Sequence, residues 1–565
     1  MYKIQLVDVN FIYSLLKEPY THYLIIFSVY ILTWYKSLSG DFLIDDDQGI
    51  QKFSESWQGE VKDKDGKVTR EEKVINSYKE GEKEYKFLDY LPHLGFPGAF
   101  MRWHRLHLGK KFAVVGKNKN GHDVYAFVQD PKRHHFWSLL VNGIALALCY
   151  NFLNYHFGSN IAFSATLLFS IHPIVSQAVC WISGINYVYC LTLLLANYNI
   201  LQLGLSYYWT IPLTILFTSL SSLSLLVGCF NFATLWTLGY HWEAFAALLV
   251  GLAVLLKDGT TVVNYRRGEF KKQNMMATIT PNVRKPIVML KTLWYYIKLT
   301  IFPNRLGLYH EFCYHYDRKD EEPDSRFWLG LLSLIGMGLA YWYGNLMAKF
   351  CVVWFLSYFV IFSNFITANQ FVVERYIFIP SLAFCVLFGS LLYPYKPLFW
   401  FLIGLYAMRS SLHVWTFNDQ ISFYASNTMN FPKSEVAYGN LGVAYQGKGK
   451  SGTAFDLWHE ATRINPFYDV PWYNMHSLLK TSGNLEQSME YLNKCMNAKI
   501  VHFKDTWDKE KQQLQDAIIK KKTFEALNKE MNDAINKGDS EGIKAIKQKM
   551  DMLMNPPPPP PTVNP

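Results

Sequence analysis

Three polar clusters stand out in a chain that is otherwise rich in apolar runs. Asp45, Asp46 and Asp47 follow the first such run, inside residues 41–50. Adjacent carboxylates repel one another, so at least one must hold its proton more tightly or recruit a cation. Beside an apolar cavity at a membrane surface, one of them could take a proton from an acceptor hydroxyl. A divalent cation, if one is used, would sit on Asp45 and Asp47. A solvated acidic turn is the plain alternative. His172 and Pro173 close the third apolar run; the proline bends or ends the helix and leaves an imidazole at the interface, where it could bond a phosphate or a sugar, or simply cap the turn. Glu374, Arg375 and Tyr376 precede the tenth run. A guanidinium there offers a permanently charged planar fork suited to a lipid phosphate. Its alternative is an interfacial charge pair with Tyr376 in an aromatic belt.

These residues need a frame, and the composition supplies one. Of 565 residues half are apolar, 17% aromatic and 18% charged. Eleven apolar runs are expected to span a membrane, near 21–38, 136–153, 160–175, 186–204, 209–228, 232–256, 286–302, 327–343, 349–366, 376–393 and 396–411. Each approaches the ~20 residues needed to cross a hydrocarbon layer of about 30 Å. The first lacks a small-x-small cleavage site and reads as a retained helix. The expected fold is therefore all-α, a polytopic bundle over 1–415 with a long polar loop at 40–135.

The net charge of +10 raises the question of nucleic acid, but its distribution argues against that partner. Lys257, Arg266, Arg267, Lys271, Lys272, Arg284 and Lys285 face only Asp258 and Glu269 in a short segment between runs. That is the signature of a cytoplasmic loop. Six spans precede it, so the N-terminus is expected in the cytoplasm. The 40–135 loop, the turn after 172, the 303–326 loop, the 367–375 turn and everything after 412 then share the other side. Eight cysteines form no disulfide framework at this length, and no CxxC or His-rich metal spacing appears.

Past the bundle the texture changes. Within an expected repeat region at 416–500, amphipathic helices over 436–500 carry a 34-residue repeat: Tyr438, Leu441, Tyr445, Ala454, Trp458 and Ala461 recur as Trp472, Met475, Leu479, Ser488, Leu492 and Cys495. Small residues where paired helices approach, and large ones where they pack, suit tetratricopeptide repeats or an ordinary helical hairpin. Charged helices over 501–554 are expected to cap the stack, and 555–565 is a proline-rich tail.

Taken together, the order and spacing of these motifs resemble the transmembrane and tetratricopeptide-repeat O-mannosyltransferases, a family of membrane-embedded GT-C glycosyltransferases. The resemblance rests on the 41–46 acidic segment and on His172, Pro173 and Ile174 with Ala178, Val179 and 181–184. It rests further on Pro303 within 301–306, on Glu374, Arg375 and Tyr376 with Pro380 and Ser381, and on Trp415, Asn418 and Asp419 leading into the repeats. It covers the chain apart from roughly 55–130 and the last 65 residues. It implies a polyprenyl- or dolichyl-phosphate sugar donor, a protein Ser/Thr hydroxyl as acceptor and inversion at the anomeric carbon. Asp45 or Asp46 would be the base or orient the acceptor. His172 and Arg375 would hold the donor phosphate, with Glu374 orienting Arg375, and no cofactor is required. The membrane would be a bacterial inner membrane or that of the endoplasmic reticulum, with the repeats gripping an acceptor or partner protein.

The chain departs from that family at Gln177, where a Glu is usual. Ile185, Asn186 and Tyr187 stand where an Arg and an acidic residue are common, and 227–229 where Ser-Lys-Glu often stands. Two other readings follow: transfer to a glycan or lipid acceptor, and a non-catalytic membrane scaffold that recruits partners through its repeats.

Overall fold

The computed structural model describes residues 19–43, 57–62, 68–73, 110–117, 123–221, 227–253, 285–310, 322–363, 372–498 and 504–554. The chain divides into two compact units, Met1–Gly268 with Ala277–Ala437, and Tyr438–Pro565 with Glu269–Met276.

In the first unit, helix α1 (Pro19–Trp34) precedes strands β1 (Trp57–Lys62), β2 (Val68–Lys73), β3 (Lys110–Lys117) and β4 (Asp123–Gln129). Then come helices α2 (Pro131–Phe157), α3 (Ser159–Ile171), α4 (Ser176–Cys180), α5 (Ile185–Leu201), α6 (Tyr207–Leu220), α7 (Val227–Thr237) and α8 (His241–Ala253). The unit continues with α9 (Lys285–Ile301), α10 (Ser325–Tyr343), α11 (Leu346–Ile361), α12 (Phe378–Leu392), α13 (Lys396–Val414) and α14 (Gln420–Asn430). Each of the eleven apolar segments carries a helix, so the helical expectation holds for the bundle. Within the polar 40–135 segment the chain adds a four-stranded antiparallel sheet of order β2-β1-β4-β3, with a bulge between Val114 and Gly116. Alternating apolar residues in Phe112, Val114 and in Val124, Ala126, Val128, parted by Asn120-Gly121, are the local reason for the β3–β4 hairpin.

Among the described residues two helices are long and apolar enough to cross a membrane, Pro131–Phe157 and Glu374–Leu392. A third qualifies if Ser159–Ile171 and Pro173–Cys180, bent by 55°, count as one. The bend has its cause at Pro173, which cannot continue the ladder of α3. The 232–256 run divides into two helices at Gly239, whose φ of 89° lies in the left-handed region that glycine adopts freely. At the far end of this hairpin Gly228 meets Gly251, where a Cβ would lie 2.6 Å from the facing backbone.

Helix surroundings differ sharply. Every residue from Ala162 to Ile171 of α3 is buried, whereas α10 buries only Gly330 and exposes Trp328, Leu332, Ile335, Leu339 and Trp342. Asp324 caps α10 by accepting from the Arg326 and Phe327 N–H groups, and its Oδ2 lies 3.0 Å from the buried Lys291 of α9. Burial pushes its carboxyl up, but hydrogen bonds and charge from Arg326 and Lys291 hold it down to about 2.

The second unit continues α15 (Glu435–Gly447) and adds α16 (Ser451–Ile464), α17 (Asp469–Thr481), α18 (Leu485–Met496), α19 (Lys504–Lys537) and α20 (Ser540–Met554). Both helices of the α17–α18 pair begin 34 residues after those of α15–α16. Ala454, Trp458 and Ala461 and their equivalents Ser488, Leu492 and Cys495 are all fully buried. Gly442 lies against the Trp458 indole, leaving no room for a side chain, while Trp458 Nε1 donates to the Gly439 carbonyl at 3.0 Å. The boundary between units falls at 437/438, so α14 belongs with the bundle, and not with the repeats as expected from 416 onward.

Candidate functional site

Among the described residues flagged by sequence, His172 meets the end of α9 and Glu374 the loop that follows it. His172 lies at the end of α3, where its Nδ1 accepts from the Ile174 N–H at 3.2 Å and its Nε2 donates to the Thr300 carbonyl at 3.0 Å. Both nitrogens are thus spent on backbone, and the imidazole ties the bend of α3–α4 to the end of α9. The expected phosphate contact has no free ring nitrogen in this arrangement.

Glu374 is fully buried. Its Oε1 accepts from the Gly307 N–H and lies 3.4 Å from His310 Nε2. His310 Nδ1 is in turn 2.9 Å from the Tyr295 hydroxyl. Oε2 of Glu374 has no hydrogen-bond partner among the described residues. Arg375 lies half-buried, with its guanidinium 4.7 Å from the Trp181 ring centroid and 5.4 Å from that of Tyr376. Two aromatic faces thus lie within cation–ring distance of the guanidinium.

Gln177 joins these parts. Its Nε2 donates to the Gly307 carbonyl at 2.8 Å, and its Oε1 accepts from the Arg375 backbone N–H at 3.3 Å. An amide can do both, whereas a carboxylate would set oxygen against a carbonyl. A glutamine at 177 therefore serves this loop. Gly184 packs so tightly on the Gln177 backbone that a Cβ would overlap it, which is the local reason for glycine at the end of the 181–184 turn.

No family, no curated protein and no solved structure matches this chain.

Asp45, Asp46 and Asp47 lie outside the described residues, as does most of the basic 257–285 segment. The chain leading to the acidic run is described as far as Leu43. Gly40 abuts His135, and the Asp41 N–H donates to the Asn418 carbonyl at 2.9 Å. Phe42 packs on Ile182, the neighbour of Trp181. The approach to the acidic run and the seat of Arg375 therefore share the 181–182 turn. Among the described residues no group of three or more His, Cys, Asp or Glu could hold a metal.

Besides His310 and Tyr295, three further site residues were not singled out by sequence. Asn427 Oδ1 accepts from the Leu308 N–H at 2.6 Å, Asn430 donates to the Leu306 carbonyl at 2.8 Å, and Arg409 donates to the Asn304 carbonyl at 3.2 Å. Asparagines on a buried helix face were the available signal, since a buried amide requires a partner.

Proposed function

We propose that this chain is a membrane-embedded glycosyltransferase that takes a sugar from a polyprenyl- or dolichyl-phosphate donor. A sugar such as mannose passes to a protein Ser/Thr hydroxyl by inverting displacement. The observation that carries this reading is the convergence of Arg375, Glu374 and Gln177 with the 181–184 turn beside the approach to Asp45 and Asp46. Arg375 stabilises the departing phosphate, and Glu374 and Gln177 position Arg375 through the loop and its backbone. Electrostatic stabilisation of this kind commonly supplies the largest part of an enzyme's rate. Asp45 or Asp46 accepts the hydroxyl proton. The long apolar helices Pro131–Phe157 and Glu374–Leu392 and the large exposed apolar side chains of α10 support immersion in lipid. The repeated helix pairs of the second unit are read as tetratricopeptide-type, holding the acceptor.

The engagement of both His172 nitrogens favours a second reading, a non-catalytic scaffold that keeps the bundle and binds partners through its repeats. Sugar transfer from labelled polyprenyl-phosphate donors in purified membranes separates the two. Loss of transfer in both Asp46→Asn and Arg375→Ala, with insertion intact, supports the enzyme. Transfer that survives both changes removes this site assignment. The division of the 232–256 run at Gly239 makes sidedness a separate question, answered by tags placed within 257–285 and after Pro561.

A further inference from the structure

A pocket of about 360 Å³ opens beside the end of α9, between its last two turns, residues 302–305 and Phe431. Its wall is apolar where Leu299, Phe302 and Phe431 contribute, and cationic where Lys298 and Arg305 do. Lys298 and Arg305 are exposed, and no carboxylate belongs to the described lining. A helix C-terminus ordinarily repels an anion through its unsatisfied carbonyls. Here three of the last four carbonyls are occupied: His172 donates to that of Thr300, Tyr406 to that of Ile301 at 2.8 Å, and the Phe302 N–H to that of Lys298 at 2.8 Å. Arg409, bonded to the Asn304 carbonyl, adds a third cation behind the loop. Phe302 is 66% exposed directly after the last helical turn, so the apolar side of the pocket continues onto the surface of the unit.

Two cations over an apolar wall match a ligand with an anionic head and an apolar chain. We propose that this pocket binds the phosphate of an anionic membrane lipid, with Lys298 and Arg305 on the phosphate and Leu299 and Phe302 along the first part of the chain. The proposal rests on the membrane placement and not on transferase activity. Through Tyr295, which lines the pocket and bonds His310, the occupied site adjoins Glu374.

The test uses the full chain in phosphatidylcholine nanodiscs with a trace of phosphatidylglycerol carrying a photoreactive acyl chain, and maps crosslinks by peptide. Crosslinks within 295–305 are expected. They should fall roughly fivefold in Lys298→Ala/Arg305→Ala, the order expected for two partly exposed charge contacts, and persist in Lys298→Arg/Arg305→Lys. Crosslinks to α10 serve as an internal control for a folded, inserted bundle and should not change. Equal labelling of 295–305 by a photoreactive phosphatidylcholine, or undiminished labelling in the alanine variant, would overturn the proposal. Competition by inorganic phosphate as effective as that by unlabelled phosphatidylglycerol would overturn the lipid as its ligand. Loss of labelling in the charge-conserving variant would overturn it as well.

Discussion

Gln177 and Glu374 hold the two polar groups of a single residue: Glu374 accepts the N–H of Gly307 and Gln177 donates to its carbonyl. Gln177 also accepts the backbone N–H of Arg375, so three segments far apart in sequence are locked in one place. Gln177→Glu keeps the shape but turns a donor into a buried carboxylate oxygen facing a carbonyl. The expected cost is about 1–3 kcal/mol of stability, the usual penalty for a buried polar group left unsatisfied. Thermal unfolding in detergent measures it, and a variant as stable as the parent would remove the bridging role.

Gly307 itself has no room for a side chain. A Cβ there would lie 2.5 Å from Asn427 Oδ1 and 2.8 Å from the Phe431 ring. Gly307→Ala is expected to destabilise by about 1–3 kcal/mol through overpacking. Gly336→Ala provides the contrast, because nothing lies within 4 Å of a Cβ at that position of α10. There the gain in helix propensity predicts no loss of stability. Equal melting of the two variants would show that the 303–310 loop yields at little cost.

Arg375 depends on the rings beneath it as well as on its charge. Arg375→Lys keeps the cation but gives up the planar guanidinium that lies 4.7 Å from the Trp181 ring centroid. With a cation–ring contact worth up to about 2 kcal/mol when desolvated, sugar transfer is expected to fall about tenfold. Trp181→Phe should retain more transfer than Trp181→Leu, because a ring remains under the fork. Rates from a labelled lipid-phosphate donor decide the matter, and equal rates in the phenylalanine and leucine variants would show that the ring contributes nothing.

How far the sequence announces these relations depends on the kind of contact. Glu374 and Arg375 are conspicuous because charges are rare beside apolar runs. The role of Gln177 is not, since its partners Gly307 and Arg375 are 130 and 198 residues away and no local pattern encodes a bond to backbone. Apolar runs announce helices reliably, yet α3 and α10 read alike in sequence. One is enclosed by protein and the other bare, because protein and lipid neighbours ask for the same side chains. The β3–β4 hairpin was available from alternation, but mixed charges around it masked the signal. The 34-residue spacing was the clearest feature of all, since small residues at 442, 454 and 461 can be read directly as places where helices meet.

In the second unit, the first turns of α19 dock through Trp507 and Leu514 onto Leu492 and Cys495, and through Glu510 onto α17. Glu510 Oε1 lies 3.0 Å from Lys480 Nζ and 3.3 Å from His476 Nε2. Burial pushes the Glu510 carboxyl up, but hydrogen bonds and charge from Lys480 and His476 outweigh it and leave the group below its ordinary value of 4.5. A carboxyl depressed in the folded state adds stability above its unfolded value and loses that contribution as pH falls through the folded value. Docking of α19 is therefore expected to be complete at neutral pH and to weaken below about 4.5. Glu510→Gln should be weaker at neutral pH and should lack that step. Hydrogen exchange at α19 amides of the full chain, comparing parent and variant at each pH so that intrinsic exchange cancels, reads it directly. An identical acid step in both proteins would place the pH sensitivity elsewhere than at Glu510.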